Sequence, residues 1–405
     1  MSIKQAEAGN MGDKVRSDCR VLLKTGDKIK GIKLNLESKV KALYGESIKK
    51  LVFEMMEFFE IEDIEIDLFD SGALPFVIMA RIETAVKKLG LDKGKKYLPE
   101  WQYEFSKSDR DRFRRSRLYL PGDQPKFFLN AAIHKPDGLI LDLEDSVAPP
   151  AKDSARILVR NSLRTIDFMS AERMVRINQL PLGLKDLEEI IPHRVDLILI
   201  PKVEYPEQIK DIDEKIDQLL KENSETFDPF YMPIIESAAG IMNAYDIAKS
   251  SKRIVALAIG LEDYTADIGT QRTKEGRESF FARSVIVNAA KAVGIQAIDT
   301  VFSDVTDMDG LKESVLEAKS LGFDGKGCIH PRQIRIIHEA FAPTDKEIDK
   351  AKKIVLAFED AEKKGLGVVS LGSKMIDPPV VKRALRIINL ALREGLINEN
   401  WREKL

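Results

Sequence analysis

Beyond Arg115 the chain falls into eight short apolar runs at a regular spacing: RLYL, GLILDL, RMVRIN, VDLILIP, YMPIIE, IVALAIG, QAIDTVF and GKGCIHP, with helical patterns between them. Alternation of this kind argues for βα units and a parallel sheet. Eight units argue for closure into a (β/α)₈ or TIM barrel, with a doubly wound open sheet as the alternative. No GxGxxG stands at the first βα turn, and neither GxxxxGK[ST] nor GxSxG occurs. The usual signatures of dinucleotide binding, NTP hydrolysis and the hydrolase nucleophile elbow are therefore missing.

A barrel needs about 250 residues, so a chain of 405 has room for a second unit. Residues 1–90 read as a small α+β domain. VRSDCRVLLK, IKGIKLNLES and IEIDLF alternate like strands. A helix carries Val40, Leu43, Ile48, Leu51, Val52, Met55 and Phe59 on one stripe, interrupted near Gly45, and a second runs from about Phe76 to Leu89. Residues 91–113, with KGKK and SKSDRDRFRR, read as a charged linker, a solvated tether that lets the first unit swing over the second. The barrel is expected over 114–342. Residues 343–405 form a helical extension, a lid for the barrel mouth of the same or a neighbouring subunit, or an oligomerisation segment.

The 64 basic and 66 acidic residues leave a net charge of −2, which gives no field for nucleic acid or an anionic membrane. Cys19 and Cys328 stand apart with no ligand cluster around them, so neither a disulfide framework nor a zinc site is indicated and a reducing cytoplasm fits. The opening MSIKQAEAGN lacks the apolar core of a signal peptide, and the apolar runs fall well below the roughly 18 residues of a membrane span. A soluble cytoplasmic protein is expected.

Barrel enzymes draw their catalytic groups from the C-terminal ends of several strands. Here acids recur at those ends: Asp142, Glu144 and Asp145 in GLILDLEDSV, Glu236 in PIIES and Asp263 in LAIGLED. Clustered carboxylates repel one another unless a cation sits among them, and hard oxygen ligands suit Mg²⁺. Glu236 and Asp263 are the best metal-ligand candidates, with helix N-capping as the plainer reading of either alone. Asp142, Glu144 and Asp145 divide the remaining labour, one holding water on the metal and another pairing with an arginine. Arg115 and Arg176 sit in the first and third runs, suited to bidentate recognition of a substrate carboxylate or to salt bridges with the barrel acids. Lys202 in LIPKVE could form a Schiff base with a ketone, but nearby acids raise a lysine pKa, so a charge partner is the better reading. None of the four histidines has metal-ligand spacing, and only His330, ending the eighth run, is kept as a site candidate. Asp377 precedes Pro378 and Pro379, an N-cap pattern that is also compatible with an acid delivered onto a barrel mouth.

RSRLYLPG, LDLEDSVAP, MVRIN, PKVE, PIIESAAGIMNA, IGLEDYTADIG, GFDGKGCIHPRQI and GSKMID, in this order from Arg115 to Asp377, resemble the citrate lyase beta subunit family of the HpcH/HpaI aldolase superfamily. The resemblance implies a (β/α)₈ barrel, often a trimer. It implies Mg²⁺ on Glu236 and Asp263, Arg176 on the substrate, and Asp377 reaching into a neighbour's site. The first 90 residues resemble the citrate lyase gamma subunit, an acyl carrier, through AEAG, the Ser17–Asp18 pair, YGESIKKLVFE and FDSGALPFVIMARIETAV. Such carriers bear a phosphoribosyl dephospho-CoA arm on a serine, for which Ser17 is the candidate. The family's serine stands two positions before the aspartate, whereas Ser17 adjoins Asp18.

The implied reaction is cleavage of citryl carrier into oxaloacetate and acetyl carrier, alongside a citrate lyase alpha (transferase) subunit. The rival readings are a lyase acting on free malyl-CoA or citramalyl-CoA with a vestigial or regulatory carrier domain, and a non-enzymatic scaffold.

Overall fold

The computed structural model describes residues 3–104, 106–363, 369–371 and 374–402. Eight parallel strands close into a barrel in sequence order: β5 (Ser116–Pro121), β6 (Gly138–Asp142), β7 (Glu172–Arg176), β8 (Leu197–Ile200), β9 (Phe230–Ile235), β10 (Ala256–Ile259), β11 (Gln296–Asp299) and β12 (Gly325–Cys328). They coincide with the eight apolar runs. Helices α3 (Lys152–Thr165), α4 (Leu182–Ile190), α5 (Pro206–Glu222), α6 (Ala238–Met242), α7 (Ala244–Ala248), α8 (Leu261–Asp267), α9 (Arg277–Ala292), α10 (Met308–Leu321) and α11 (Pro331–Phe341) follow the strands. Alternation along each strand divides the apolar residues. Leu139, Leu141 and Val175 pack outward against helices, while Ile140, Met174, Leu199, Met232 and Ile298 fill the lumen.

Before the barrel, β1 (Lys4–Gly9), β2 (Cys19–Thr25), β3 (Ile32–Ser38) and β4 (Ile64–Asp70) form a sheet in the order β1-β2-β4-β3, covered by α1 (Lys41–Phe58) and α2 (Pro75–Leu89). The strand β1 was not expected. It lies at the sheet edge, and Ala8 is its one buried residue. Helix α1 runs unbroken through Gly45, and Leu43 is 81% exposed. Five residues before Ile48, Leu43 falls about 140° away around the helix from the face that Ile48, Val52 and Met55 bury.

The expected tether is packed against the barrel. Arg110 donates to the carbonyls of Lys252 and Ile254, Arg114 makes a bidentate pair with Glu172 at 2.7 Å, and the N–H of Gln102 donates to the carbonyl of Arg164. Lys93 and Lys95 both pair with Glu60. Docking of the first unit is equally specific. Helix α2 lies on α3, sharing Phe76, Val77 and Ala80 with the barrel's outer core, and the buried Glu83 binds Arg160 at 2.7 and 2.8 Å. A buried carboxylate–guanidinium pair of this geometry fixes orientation as well as contact.

After the barrel come α12 (Asp345–Lys363), the hairpin β13 (Val369–Leu371) and β14 (Lys374–Ile376), and α13 (Pro378–Arg393), with α12 and α13 sharing a small core around Ile354, Ile388 and Trp401. The described residues of this extension contact the end of the barrel opposite its mouth. Glu394 pairs with Arg115, and Arg386 with Asp324, residues that immediately precede β5 and β12 at the strands' N-terminal ends. Among the described residues no helix is long and apolar enough to cross a membrane.

Candidate active site at the barrel mouth

At the C-terminal ends of the strands a cavity of about 460 Å³ is lined by Asp142, Asp145, Arg176, Glu236, Asp263 and Thr300, and descends past Tyr119 and Ala258 to Arg117. Asp142 ends β6 and Arg176 ends β7 in direct register. The guanidinium gives Nε to Asp142 Oδ1 at 2.6 Å and Nη2 to Oδ2 at 2.7 Å, while Nη1 lies 2.7 Å from Glu144 Oε2. Burial opposes the charge on both partners, but their contact outweighs it: the Asp142 carboxyl is held below its ordinary range and Arg176 above its own. The face of the Tyr119 ring lies 5.3 Å from the guanidinium carbon of Arg176.

Glu236 follows β9 and is 6% exposed. Lys202, in the left-handed region at φ 52, turns its backbone N–H onto Glu236 Oε1 at 2.8 Å. Gly260 makes room for the other oxygen, since a Cβ there would fall 2.3 Å from Glu236 Oε2. Burial, then the charges of Asp263 and Glu144, push the Glu236 carboxyl up to about 8. A buried carboxylate beside other acids is the setting that a cation relieves. Among the described residues no three His, Cys, Asp or Glu side chains form a closed metal cage. Two carboxylates with open positions suit Mg²⁺, which keeps water and substrate oxygens as ligands, so Glu236 and Asp263 fit the ion.

The Lys202 ammonium reaches the same acids, 3.2 Å from Glu144, 3.8 Å from Asp145 and 4.0 Å from Asp263. Burial lowers its pKa, but these carboxylates more than offset that and keep the amine protonated. A protonated amine is not a Schiff-base nucleophile.

The profile of the HpcH/HpaI aldolase/citrate lyase family matches residues 115–331, more than half of the chain. The chain belongs to this family. Among its HpcH/HpaI relatives, the citrate lyase subunit beta of Haemophilus influenzae is 43% identical over 292 residues, covering 71% of this chain and all of that one. The mitochondrial citramalyl-CoA lyase of Rattus norvegicus is 36% identical, covering 69% of this chain and 86% of that one. CitE of Mycobacterium tuberculosis, solved with magnesium, acetoacetate and coenzyme A, superposes with a TM-score of 0.59 at 29% identity, covering 70% of this chain and 99% of that one. Residues 3–89 match the profile of the malonate decarboxylase delta subunit, an acyl-carrier type, so an HpcH/HpaI barrel here follows a carrier-like domain.

Not every residue singled out in the sequence reaches the mouth of this HpcH/HpaI barrel. Arg115 precedes β5 at the opposite end and is engaged by Asp137, at 2.8 and 2.9 Å, and by Glu394. A six-residue strand rises roughly 20 Å, which puts Arg115 out of reach of a ligand at the mouth. Arg117, two residues on, is the arginine of that run that lines the cavity, and sequence reading passed over it. His330 caps α11 by accepting from the N–H of Arg332 at 3.1 Å. Asp377 caps α13 through the N–H of Val380 at 3.1 Å and is not among the residues lining this chain's cavity. Gly372 and Ser373 of the GSKMID stretch lie outside the described residues.

Ser17 lies half-buried on the loop between β1 and β2, at φ 56. Its neighbour Asp18 is held by Arg81 with two bonds of 2.9 Å, and Arg81 also donates to the carbonyl of Asp123 and to Ser154 Oγ. Asp123 stands just after β5. The Ser17 loop is thus fastened on the mouth side of the barrel.

Proposed function

We propose that this chain is a Mg²⁺-dependent carbon–carbon lyase that cleaves a 3-hydroxyacyl thioester, citryl to oxaloacetate and an acetyl thioester, by retro-aldol chemistry. The observation that carries the reading is the meeting of Glu236, Asp263 and Arg176 in one cavity at the strand ends. It is supported by the citrate lyase subunit beta of H. influenzae and by the magnesium in the M. tuberculosis structure.

Glu236 and Asp263 would hold Mg²⁺, which would supply positive charge against the negative charge developing on substrate oxygen and so lower the hydroxyl pKa. Arg176, kept in one orientation by Asp142 and Glu144, offers its remaining N–H groups to substrate carboxylate or thioester oxygen. The hydroxyl proton passes to solvent water at the open mouth, the bond between the hydroxyl-bearing carbon and the α-carbon of the thioester breaks, and the thioester carbonyl takes the electrons as an enolate; the proton that Asp377 delivers is replaced from the same solvent. Asp377 from a neighbouring copy of the chain protonates the enolate carbon, in a trimeric assembly. Lys202 balances the charge of Glu144 and Asp145 at the rim.

The carrier-like domain bears a phosphoribosyl dephospho-CoA arm on Ser17 and works with a transferase subunit of the citrate lyase alpha type, in the cytoplasm. The fastening of the Ser17 loop on the mouth side supports this, because a fixed attachment point raises the effective concentration of a tethered substrate. A second reading, a lyase for free CoA thioesters, is favoured by the immediate adjacency of Ser17 to Asp18 and by the citramalyl-CoA lyase relative. Mass spectrometry of the Ser17 peptide from protein purified from its native source separates the two. A phosphopantetheine-containing adduct supports the carrier reading, and an unmodified peptide supports the free thioester.

A further inference from the structure

Five arginines are almost wholly buried: Arg81, Arg114, Arg117, Arg160 and Arg173. Four of them have a carboxylate within 3 Å, namely Asp18, Glu172, Glu83 and Asp196. Arg117 has none. The only hydrogen-bond contact of its guanidinium among the described residues is Nη1 with the sulfur of Met232 at 2.8 Å, and its Nε is buried without a partner. A guanidinium keeps its charge even when buried, and leaving one unpaired in a barrel lumen is costly.

The lumen is shaped around this side chain. On β5, Leu118 and Leu120 face the helices, so Arg117 and Tyr119 face inward. Both in-register neighbours of Arg117 are glycines, Gly138 on β6 and Gly327 on β12. A Cβ on Gly327 would fall 2.7 Å from Val301 and 3.4 Å from the Tyr119 ring, and one on Gly138 would fall 2.3 Å from Met174. Gly327 and the small Ala258 line the cavity that runs from the carboxylates at the mouth down to Arg117, while Gly138 gives its space to Met174.

We infer that Arg117 binds a second carboxylate of the substrate, the one on a carboxymethyl substituent of the hydroxyl-bearing carbon, and so selects citryl over citramalyl or malyl thioesters. This rests on the lyase reading above. In citryl the hydroxyl-bearing carbon carries a carboxymethyl group, in citramalyl a methyl and in malyl a hydrogen; the hydroxyl, the adjacent carboxylate and the thioester arm are common to all three. With the common groups engaged at Glu236, Asp263 and Arg176, the distinguishing substituent points down the shaft. A methyl or a hydrogen there leaves the guanidinium without an anion, whereas a carboxylate completes the bidentate pair that the other four buried arginines already have.

The test is calorimetric binding of oxaloacetate and of pyruvate to the full-length, Mg²⁺-loaded protein, wild type and Arg117→Met. The wild type is expected to bind oxaloacetate about 100-fold more tightly than pyruvate, the scale of a desolvated charged hydrogen-bond pair. Arg117→Met is expected to bring the ratio near one while leaving pyruvate binding unchanged. Turnover should follow, with kcat/KM for citryl-CoA falling about 100-fold and that for citramalyl-CoA held or raised. Equal affinities in the wild type, or equal losses for both keto acids in the variant, overturn the assignment. Should Arg117→Met not fold, the wild-type ratio alone decides. A wild type that discriminates between the keto acids but cleaves neither thioester would instead contradict the lyase reading and leave Arg117 as a dicarboxylate anchor.

Discussion

Asp142 and Arg176 stand opposite each other in register on neighbouring barrel strands, and two hydrogen bonds of 2.6 and 2.7 Å tie their side chains together at the mouth. The backbone ladder alone sets the spacing of the pair, so Arg176 is oriented before any ligand arrives. Asp142→Asn keeps the shape and removes the charge. Breaking a buried pair is expected to cost about 3 kcal/mol in urea unfolding, at the lower end of such losses because Glu144 remains beside Arg176. Arg176→Lys replaces a planar fork with a point charge and should lower kcat/KM at least 100-fold with a smaller loss of stability. Equal effects of the two substitutions on stability and turnover would speak against a substrate-facing role.

Among the contacts that hold the carrier-like domain to the barrel is the pair of Glu83 on α2 with Arg160 on α3, both without exposed side-chain surface. Glu83→Gln leaves Arg160 with Glu189 as its one ion-pair partner, beside the neutral acceptors Asn161 Oδ1 and the Tyr97 carbonyl. It should destabilise the protein by about 2–3 kcal/mol and raise amide exchange selectively in α2 and in residues 97–104, where Glu83 also accepts from the N–H of Tyr97. Exchange unchanged in those segments would mean that other contacts hold the seam.

Acid should loosen the same seam. Burial, reinforced by Arg160 and Arg164, pushes the His193 imidazole down to about 3. Burial raises Glu189, but Arg160, Lys87 and Lys96 bring it down to about 2. The unfolded chain takes up a proton on this histidine near pH 6.5, and the folded chain resists it until about 3. Its contribution to stability is therefore lost as pH falls below 6.5. The Glu189 contribution, present above the ordinary carboxylate range, is lost as pH falls further toward 2, so both slopes have one sign. Between pH 6.5 and 4.5, His193→Gln should abolish about 2 kcal/mol of the stability decline seen in the wild type. A wild type equally stable at both values would remove the basis for this.

Lys202 has three carboxylates within 4.0 Å and remains an ammonium. Borohydride with pyruvate or oxaloacetate should give no covalent adduct by mass spectrometry, and Lys202→Met should retain cleavage with a raised KM. A reduced adduct on Lys202 would establish an imine mechanism instead.

The barrel was legible because most strands are short apolar runs at a regular spacing, several of them ending on an acid or arginine, as in LILD and MVR. Edge strand β1, KQAEAG, buries one side chain and leaves almost no apolar signal. The depth of Arg115 and Arg117 was hidden because both belong to one arginine-rich stretch, and only the strand start at Ser116 separates floor from lumen. The stretch from 91 to 113 looked solvated because its partners, Glu172 for Ser108 and the Lys252 and Ile254 carbonyls for Arg110, are distant in sequence. The capping of α13 by Asp377 was legible in the Asp-Pro-Pro motif, whereas where α13 lies on the barrel depends on how α12 and α13 pack, which no local motif encodes.

The most direct test of the central claim is citryl-CoA cleavage by the purified full-length protein, followed as oxaloacetate release with Mg²⁺, with EDTA, and in Glu236→Gln. The account predicts turnover with Mg²⁺, none with EDTA, recovery when Mg²⁺ is restored, and at least a 1,000-fold loss in the variant at every Mg²⁺ concentration, since removing the group that holds the metal removes the charge stabilisation it supplies. Cleavage that persists in EDTA, or in Glu236→Gln, would contradict it.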